Sequence, residues 1–396
     1  MKDTADCVYE VPLRDFMLQF SKELPKLIRL LKSTAMREHP RGRQLIPYHV
    51  ENYGNGVTAG HCVRPDIVLT EDGPIICEID YVASGRAHLI TSLRRRPAAR
   101  EQVLQGFADW YRAMGVDSVL YGTGTKTSCF LETQIFAEAM QQEVGFDLQA
   151  VNLDEYPDLN GRFVDRLTYA TEMCSIEDGR VYLRQSTVTT AEPFLDTKAT
   201  AILVHDPVMQ ELLIKSLGKV AVKFWQRVMP ISFLQKEVDE QAMQIVRTNP
   251  RHWVFKSTDV ETDTCWGCRG TIVGSAYRAG DLVKYLSTGK KLGRKDTGPN
   301  PMVQALGESI DFTELWNRSV SDPNTLADAR VFGREVSDLC RNPAQSKVYG
   351  RIGFFLPIDT SGKAYTSVSD FAEIVLRQSP IVHGASDAVA VAARLV

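Results

Sequence analysis

No apolar run in the chain approaches the ~20 residues that a membrane-spanning helix needs, so no span is expected. The first residues, MKDTADCVYE, are acidic and lack the apolar core of a secretory signal. No low-complexity tract and no internal repeat occur, so neither a disordered tract nor a repeat array is expected. A strong charge of one sign is also missing. The net charge of −3 gives no global argument for nucleic acid or a membrane surface as partner. Cysteine is sparse, with 8 scattered through 396 residues. That suits reduced thiols in a cytoplasmic protein better than a disulfide framework. What remains is ordinary soluble composition, 44% hydrophobic and 24% charged, with length enough for two to three domains.

The most informative stretch is Arg64 to Asp80, RPDIVLTEDGPIICEID. Two extended runs flank Glu71-Asp72-Gly73, and Asp-Gly is a strong hairpin signal. A three-residue loop would pair Thr70 with Pro74, Asp66 with Glu78 and Arg64 with Asp80. Alternate strand residues share a face. One face then carries Pro65, Ile67, Leu69, Ile75, Cys77 and Ile79. The other carries Arg64, Asp66, Val68, Ile76, Glu78 and Asp80. A two-residue loop would shift the pairing by one residue and put Asp66 on the apolar face. Three carboxylates and a guanidinium thus gather at one end of the hairpin. Directly opposed like charges destabilise a sheet, and Mg²⁺ would relieve them, since it takes one or two carboxylates beside phosphates and water. The alternative is an acidic patch stapled by Arg64 on a solvated face.

Around this stretch the chain reads as follows. Residues 10–36 have helical spacing, and 37–47 form a basic connector whose arginines are expected in solvent. His61 could approach the hairpin site or be structural. Tyr81–Gly85 is a small-residue turn, and Arg94–Arg96 a solvated charge cluster without aromatic interleaving. From 100 to about 205 helix and strand alternate, with strands at Ser118–Tyr121, Phe146–Val151 and Ala199–Val204. The loop Gly122–Ser128 lacks the Gly-Lys step of a P-loop. It is either an anion-binding loop at a helix N-terminus or a plain turn.

Residues 207–248 look largely helical. Arg251–Lys256, RHWVFK, is a strand ending in lysine, followed by the loop STDVETDTCWGCRG and a return strand, TIVGS. Such a flap can cover nucleotide phosphates, the lysine supplying a point charge. Cys265 and Cys268 have no second pair at zinc-site spacing and do not open a helix, so redox and zinc roles are minor alternatives. Residues 281–298 read as a polar excursion. Pro301–Leu306, PMVQAL, is apolar and extended, either an adenine-lining segment or a core strand. A mainly helical stretch runs to about 343. Tyr349–Leu356 is a strand carrying Arg351, and the C-terminal part holds Arg377, His383 and Asp387.

RPDIVLTEDGPIICEID resembles the metal-binding hairpin of the glutathionylspermidine synthetase-like, circularly permuted ATP-grasp enzymes. Arg64, Asp66 and Glu78 match its Arg-x-Asp and Glu-x-Asn pattern, whereas Asp80 stands where the family usually has Asn. Tyr81–Gly85 replaces the family's Ala-Asp-Thr-Pro-Thr run. The resemblance implies an α+β, ATP-grasp-like fold with permuted motif order. Residues 1–99 would begin the core, 100–206 would form an inserted α/β substrate domain, and 207–396 would complete the core. It implies an ATP-dependent carboxylate–amine ligase working through an acyl phosphate. A kinase on the same scaffold and an inactive nucleotide-binding protein are the alternatives. ATP and Mg²⁺ are the implied cofactors. Asp66, Glu78 and Asp80 would hold metal. Lys223, Lys256, Gly267, Arg269 and Gly270 would contact phosphates, and Gln304, Ala305 and Leu306 would hold adenine. Arg64 and Arg351 would stabilise the transferring group. The partners would be a small carboxylate and an amine, such as an amino acid or peptide, with neither nucleic acid nor membrane. A homo-oligomer is compatible with the sequence.

Overall fold

The computed structural model describes residues 9–46, 49–52, 60–81, 85–123, 130–153, 155, 163–166, 174–177, 180–183, 198–237, 240–258, 271–288, 301–321, 330–331, 344, 346–378 and 389–396. It is a mixed α/β structure built on an eight-stranded sheet. Its main path runs Tyr9–Val11, Val389–Leu395, Phe371–Arg377, Tyr349–Phe354, Gly60–Thr70 and Leu356–Asp359. The long strand Gly60–Thr70 is the hub. It runs antiparallel to Tyr349–Phe354 and Leu356–Asp359, and also to Gly73–Asp80.

Alternation along these strands divides the core in two. Val63, Ile67, Ile79, Ile352, Phe354 and Ile374 join a large apolar cluster with the helix Arg14–Leu31 and the helices between 200 and 228. Cys62, Phe355, Phe371 and Ala392 face the other way. They pack with Leu89, Phe107, Trp110 and Phe136 of the segment 86–144. That second layer carries a parallel three-stranded sheet with Ser118–Thr123 between Asp147–Asn152 and Phe163–Arg166. A separate antiparallel sheet has the order Ser232–Leu234, Pro301–Ala305, Trp253–Ser257, Thr271–Val273. It has its own small core, in which Phe255 and Val303 meet Val246 and Leu282. Among the described residues no helix is long and apolar enough to cross a membrane.

Several local expectations change. Residues 37–47 hold a short helix, Pro40–Leu45. Proline occupies its first turn, and the His39 ring accepts from the Arg41 and Gly42 N–H groups. Arg41 is not free in solvent, because it pairs with Asp206 and Glu237, each at 2.6 Å. The expected strand Ala199–Val204 is a helix, Thr200–His205, burying Ile202, Leu203 and Val204. Periodicity cannot separate the two states in so short an apolar run. Residues 207–248 are interrupted by the strand Ser232–Leu234. The expected polar excursion begins as a helix, Ala279–Thr288; 289–300 lie outside the described residues.

Candidate functional site

The hairpin reaches the expected pairing by a different route. Thr70 pairs with Gly73, so the loop has two residues, and Leu69 faces Pro74. Left alone, that turn would misplace the charges by one residue. The register shifts between Asp66 and Ile67 and leaves Cys77 as the extra residue of a bulge. Beyond it Asp66 faces Glu78 and Arg64 faces Asp80. The bulge also corrects the face assignment near the turn. Ile76 now shares the buried face with Ile67, while Ile75 lies opposite Val68.

The charged face is neither bare nor solvated. Asp66 is 4% exposed and Arg64 7%. Arg64 Nε lies 3.3 Å from Asp66 Oδ1, and its second arm lies 3.4 Å from Asp80 Oδ2. Arg351 donates to the other Asp66 oxygen. Burial works against the Arg64 charge. The carboxylates of Asp66, Asp80, Glu373 and Glu132 outweigh it and raise the guanidinium's pKa further. Arg64 fits because two glycines make room. A Cβ on Gly353 would come within 3.2 Å of the Arg64 Cδ. One on Gly85, whose φ is +102°, would come within 2.9 Å of a guanidinium nitrogen. Gly85 N–H donates to the Glu132 carboxylate, which ties the second layer to the site.

Lysines reach the hairpin from two further segments. Lys198 Nζ pairs with Glu78 Oε1 at 3.0 Å. Lys256, on the small sheet and 6% exposed, donates to the Cys77 carbonyl oxygen at 2.7 Å. The segment that follows the strand Pro301–Ala305 also touches the hairpin tip. Ile310 N–H donates to Leu69 O at 2.8 Å, and a Cβ on Gly307 would lie 3.1 Å from the Thr70 methyl. The cluster therefore draws on the hairpin, the Arg351 strand, the Lys256 strand and the segment before Thr200.

The other expected site residues are placed differently. Lys223 is exposed on the helix Lys219–Val228 and joins none of these ion pairs. Gln304 is buried with its amide 3.3 Å from Ser232 Oγ. The Ala305 and Leu306 N–H groups already donate to Ile231 O at 2.8 Å and His252 O at 2.9 Å, so neither has a free donor for a base edge. Their strand is internal to the small sheet. Gly267, Arg269, Gly270, Cys265 and Cys268 lie outside the described residues, as do His383 and Asp387. His61 points to the opposite face of its strand from Arg64, where burial and the Lys32 charge pull its pKa down to about 3. Lys198, Glu132 and Glu373 escaped the sequence reading. No local pattern links residue 198 to residue 78, and Glu132 and Glu373 sit in ordinary-looking helix and strand.

The residues can be tested for Mg²⁺. Among the described residues no group of three or more His, Cys, Asp or Glu side chains is arranged to hold a metal ion. Asp66 has both oxygens against arginines. Glu78 and Asp80 have side chains 29% and 19% exposed on one face of a strand. Two such carboxylates suffice for Mg²⁺ when phosphates and water complete its shell. The donor set fits the ion through Glu78 and Asp80.

No protein-family profile matches the chain, and no curated protein does. Solved structures do. A glutathione synthetase-like effector from Globodera pallida, in its apo form, aligns with a TM-score of 0.51 at 12% identity. The alignment covers 98% of this chain and 89% of that one. At that identity the likeness is one of fold alone. A protein assigned as a gamma-glutamylcysteine synthetase from Methylobacillus flagellatus aligns at 0.41 and 10% identity, covering 98% of this chain and 85% of that one.

Proposed function

We propose that the protein is an ATP-dependent carboxylate–amine ligase with a circularly permuted ATP-grasp core. Residues 1–99 and 207–396 make up that core, and 100–206 form an inserted substrate domain. The observation that carries this reading is the meeting of a hairpin bearing Arg64, Asp66, Glu78 and Asp80 with a lysine from a separate small sheet, Lys256, at 2.7 Å. Two sheets that meet at acids on one side and a lysine on the other suit a polyphosphate and its counter-ion. The fold-level likeness to a glutathione synthetase-like protein agrees.

In this reading Glu78 and Asp80 hold Mg²⁺, which neutralises phosphate charge when bound. Lys256 leaves the Cys77 carbonyl and takes a phosphate oxygen. Lys198 leaves Glu78 and turns to an anionic substrate group. Asp66 positions Arg351 and Arg64 as a rigid pair aimed at the transferring group, where preorganised donors act most strongly. The chemistry balances in two steps. A substrate carboxylate oxygen bonds to the γ-phosphorus as the bond to ADP breaks. The amine nitrogen then bonds to the acyl carbon, phosphate departs, and the amine loses a proton. Gly267, Arg269 and Gly270, which lie outside the described residues, are the further residues proposed to contact phosphate.

The test is Mg²⁺-dependent release of ADP and phosphate with a pooled amino-acid and polyamine panel, read by mass spectrometry. A new mass equal to two substrates less water is the expected result. ADP with a stable phosphorylated product indicates a kinase instead. No ATP binding at all overturns both.

A further inference from the structure

Glu373 is a buried carboxylate, 8% exposed, on the strand Phe371–Arg377. Packing alone does not call for a charge there. Phe371 and Val375 flank it along the strand, Ala392 lies opposite it on Val389–Leu395, and all three are buried. Taking a carboxylate out of water is costly unless a well-placed cation offsets it.

The sheet register points to that cation. On its other side Glu373 pairs with Gly353, Gly353 with Asp66, and Asp66 with Glu78. Residues paired in this way present their side chains on one face. The four positions therefore form a row of three carboxylates broken by a glycine. Neighbouring strands lie ~4.8 Å apart, which leaves about 10 Å between the Asp66 and Glu373 backbones. The Arg64 side chain lies over that gap. A Cβ on Gly353 would come within 3.2 Å of Arg64 Cδ and 3.4 Å of its Cγ, and within 3.4 Å of Asp66 Oδ1. Burial disfavours the Arg64 charge, and Glu373 is among the carboxylates that outweigh it. Arg351, two residues before Gly353, stands diagonally to Glu373 and donates to Asp66.

We propose that Glu373 is a positioning residue for Arg64, closing from the far side of Gly353 a clamp whose near side is Asp66. Held from both neighbouring strands, the guanidinium keeps one direction, toward the transferring group. Glu373 acts through Arg64 and does not itself meet substrate. The catalytic consequence rests on the ligase reading, whereas the clamp does not.

The experiment has two arms. The first labels the protein with ¹⁵N-arginine and reads the guanidinium signals of Arg64 and Arg351, assigned through Arg64→Lys and Arg351→Lys. In Glu373→Gln the Arg64 signal should shift and its guanidinium rotation quicken by about tenfold, the scale of one lost charge-assisted contact. Glu373→Asp, which keeps the charge, should lie between Gln and the unmodified protein. An unmoved Arg64 signal, or a change confined to Arg351, overturns the proposal whatever the reaction is. The second arm measures Mg²⁺-dependent ADP release from the pooled amino-acid and polyamine panel. In Glu373→Gln kcat should fall by about ten- to a hundredfold, the cost of a slightly misplaced group, with KM for ATP unchanged and Glu373→Asp partly restored. A shifted Arg64 signal with unchanged kcat overturns the catalytic role. No ADP release by the unmodified protein overturns the ligase reading instead, and the catalytic role with it, while the first arm still decides the clamp.

Discussion

Lys256 and Cys77 are joined across two sheets, the lysine ammonium donating to the Cys77 carbonyl oxygen at 2.7 Å. Cys77 is the extra residue of the hairpin bulge, and an extra residue in a bulge is left out of the ladder. The same irregularity that realigns Asp66 with Glu78 therefore supplies the acceptor for Lys256. Burial pushes the Cys77 thiol pKa up, with the Lys256 charge opposing it. The position matters for its backbone.

Lys256→Ala removes this docking point and, in the proposed mechanism, a phosphate contact. Turnover is expected to fall by about a hundredfold or more, the scale of one preorganised electrostatic contact. Thermal stability should change little. Cys265→Ser and Cys268→Ser should leave turnover near the starting value. Steady-state kinetics beside a melting curve separates these outcomes.

Glu78→Gln keeps a hydrogen-bond acceptor for Lys198 but, in the proposed mechanism, loses a metal ligand. The Glu78 side chain is 29% exposed, so stability should move by no more than ~1 kcal/mol. Turnover should be abolished, and raising Mg²⁺ should not restore it. A variant with unchanged turnover would show that Glu78 has no part in the chemistry.

Arg351→Met leaves Asp66 buried with one of its two arginines gone. Breaking a buried pair from one side costs about 3–5 kcal/mol. The expectation is a clear drop in the urea midpoint as well as in activity. Asp66→Asn should show a smaller drop, since the amide oxygen still accepts from one arginine. Equal midpoints for all three proteins would mean the triad carries no stability.

His61 predicts an acid-side instability. Its folded pKa is about 3, through burial and then the Lys32 charge. The unfolded value is ~6.5. The unfolded chain thus binds the proton first, so stability is intact above about pH 6.5 and declines as pH falls toward 3, by an order of a few kcal/mol. The Lys32 charge acts on the ring from the end of the helix, and Arg29 and Asp359 line the same cavity as His61. Urea unfolding across this window should lose most of that slope in His61→Leu. An unaltered slope would assign the acid lability elsewhere.

The second buried ion pair gives a structural control. Arg86 and Asp165 are both fully buried and hydrogen-bonded to each other and to the Tyr111 hydroxyl. Arg86 also lies over the rings of Phe107 and Tyr121, each at 5.2 Å. Asp165→Asn should cost about 3–5 kcal/mol by stranding the guanidinium, with kcat per folded molecule unchanged.

The hairpin was legible because its alternation and its charges are local: Arg64 to Asp80 lie in one stretch. The bulge was not, since a two-residue turn with a bulge gives Asp66 and Glu78 the same facing as a three-residue turn without one. Arg351 stood out as a charge in a glycine-rich strand, and Gly353 has its reason in the bulk of Arg64. Lys198 was hidden, because its partner is far away in sequence. Lys223 stays undecided by sequence, because a lysine on a helix looks the same whether it faces a site or water. The run from Thr200 to His205 misled because its apolar residues suit a buried strand or a buried helix equally. Tertiary packing decided what periodicity could not.

The most direct test of the account is calorimetric titration with a non-hydrolysable ATP analogue, with and without Mg²⁺, on the unmodified protein and on Lys256→Ala and Glu78→Gln. The account expects binding that Mg²⁺ strengthens, that Lys256→Ala weakens under both conditions, and that in Glu78→Gln no longer responds to Mg²⁺. Binding of equal strength in all three proteins would contradict a nucleotide site between the hairpin and the lysine strand.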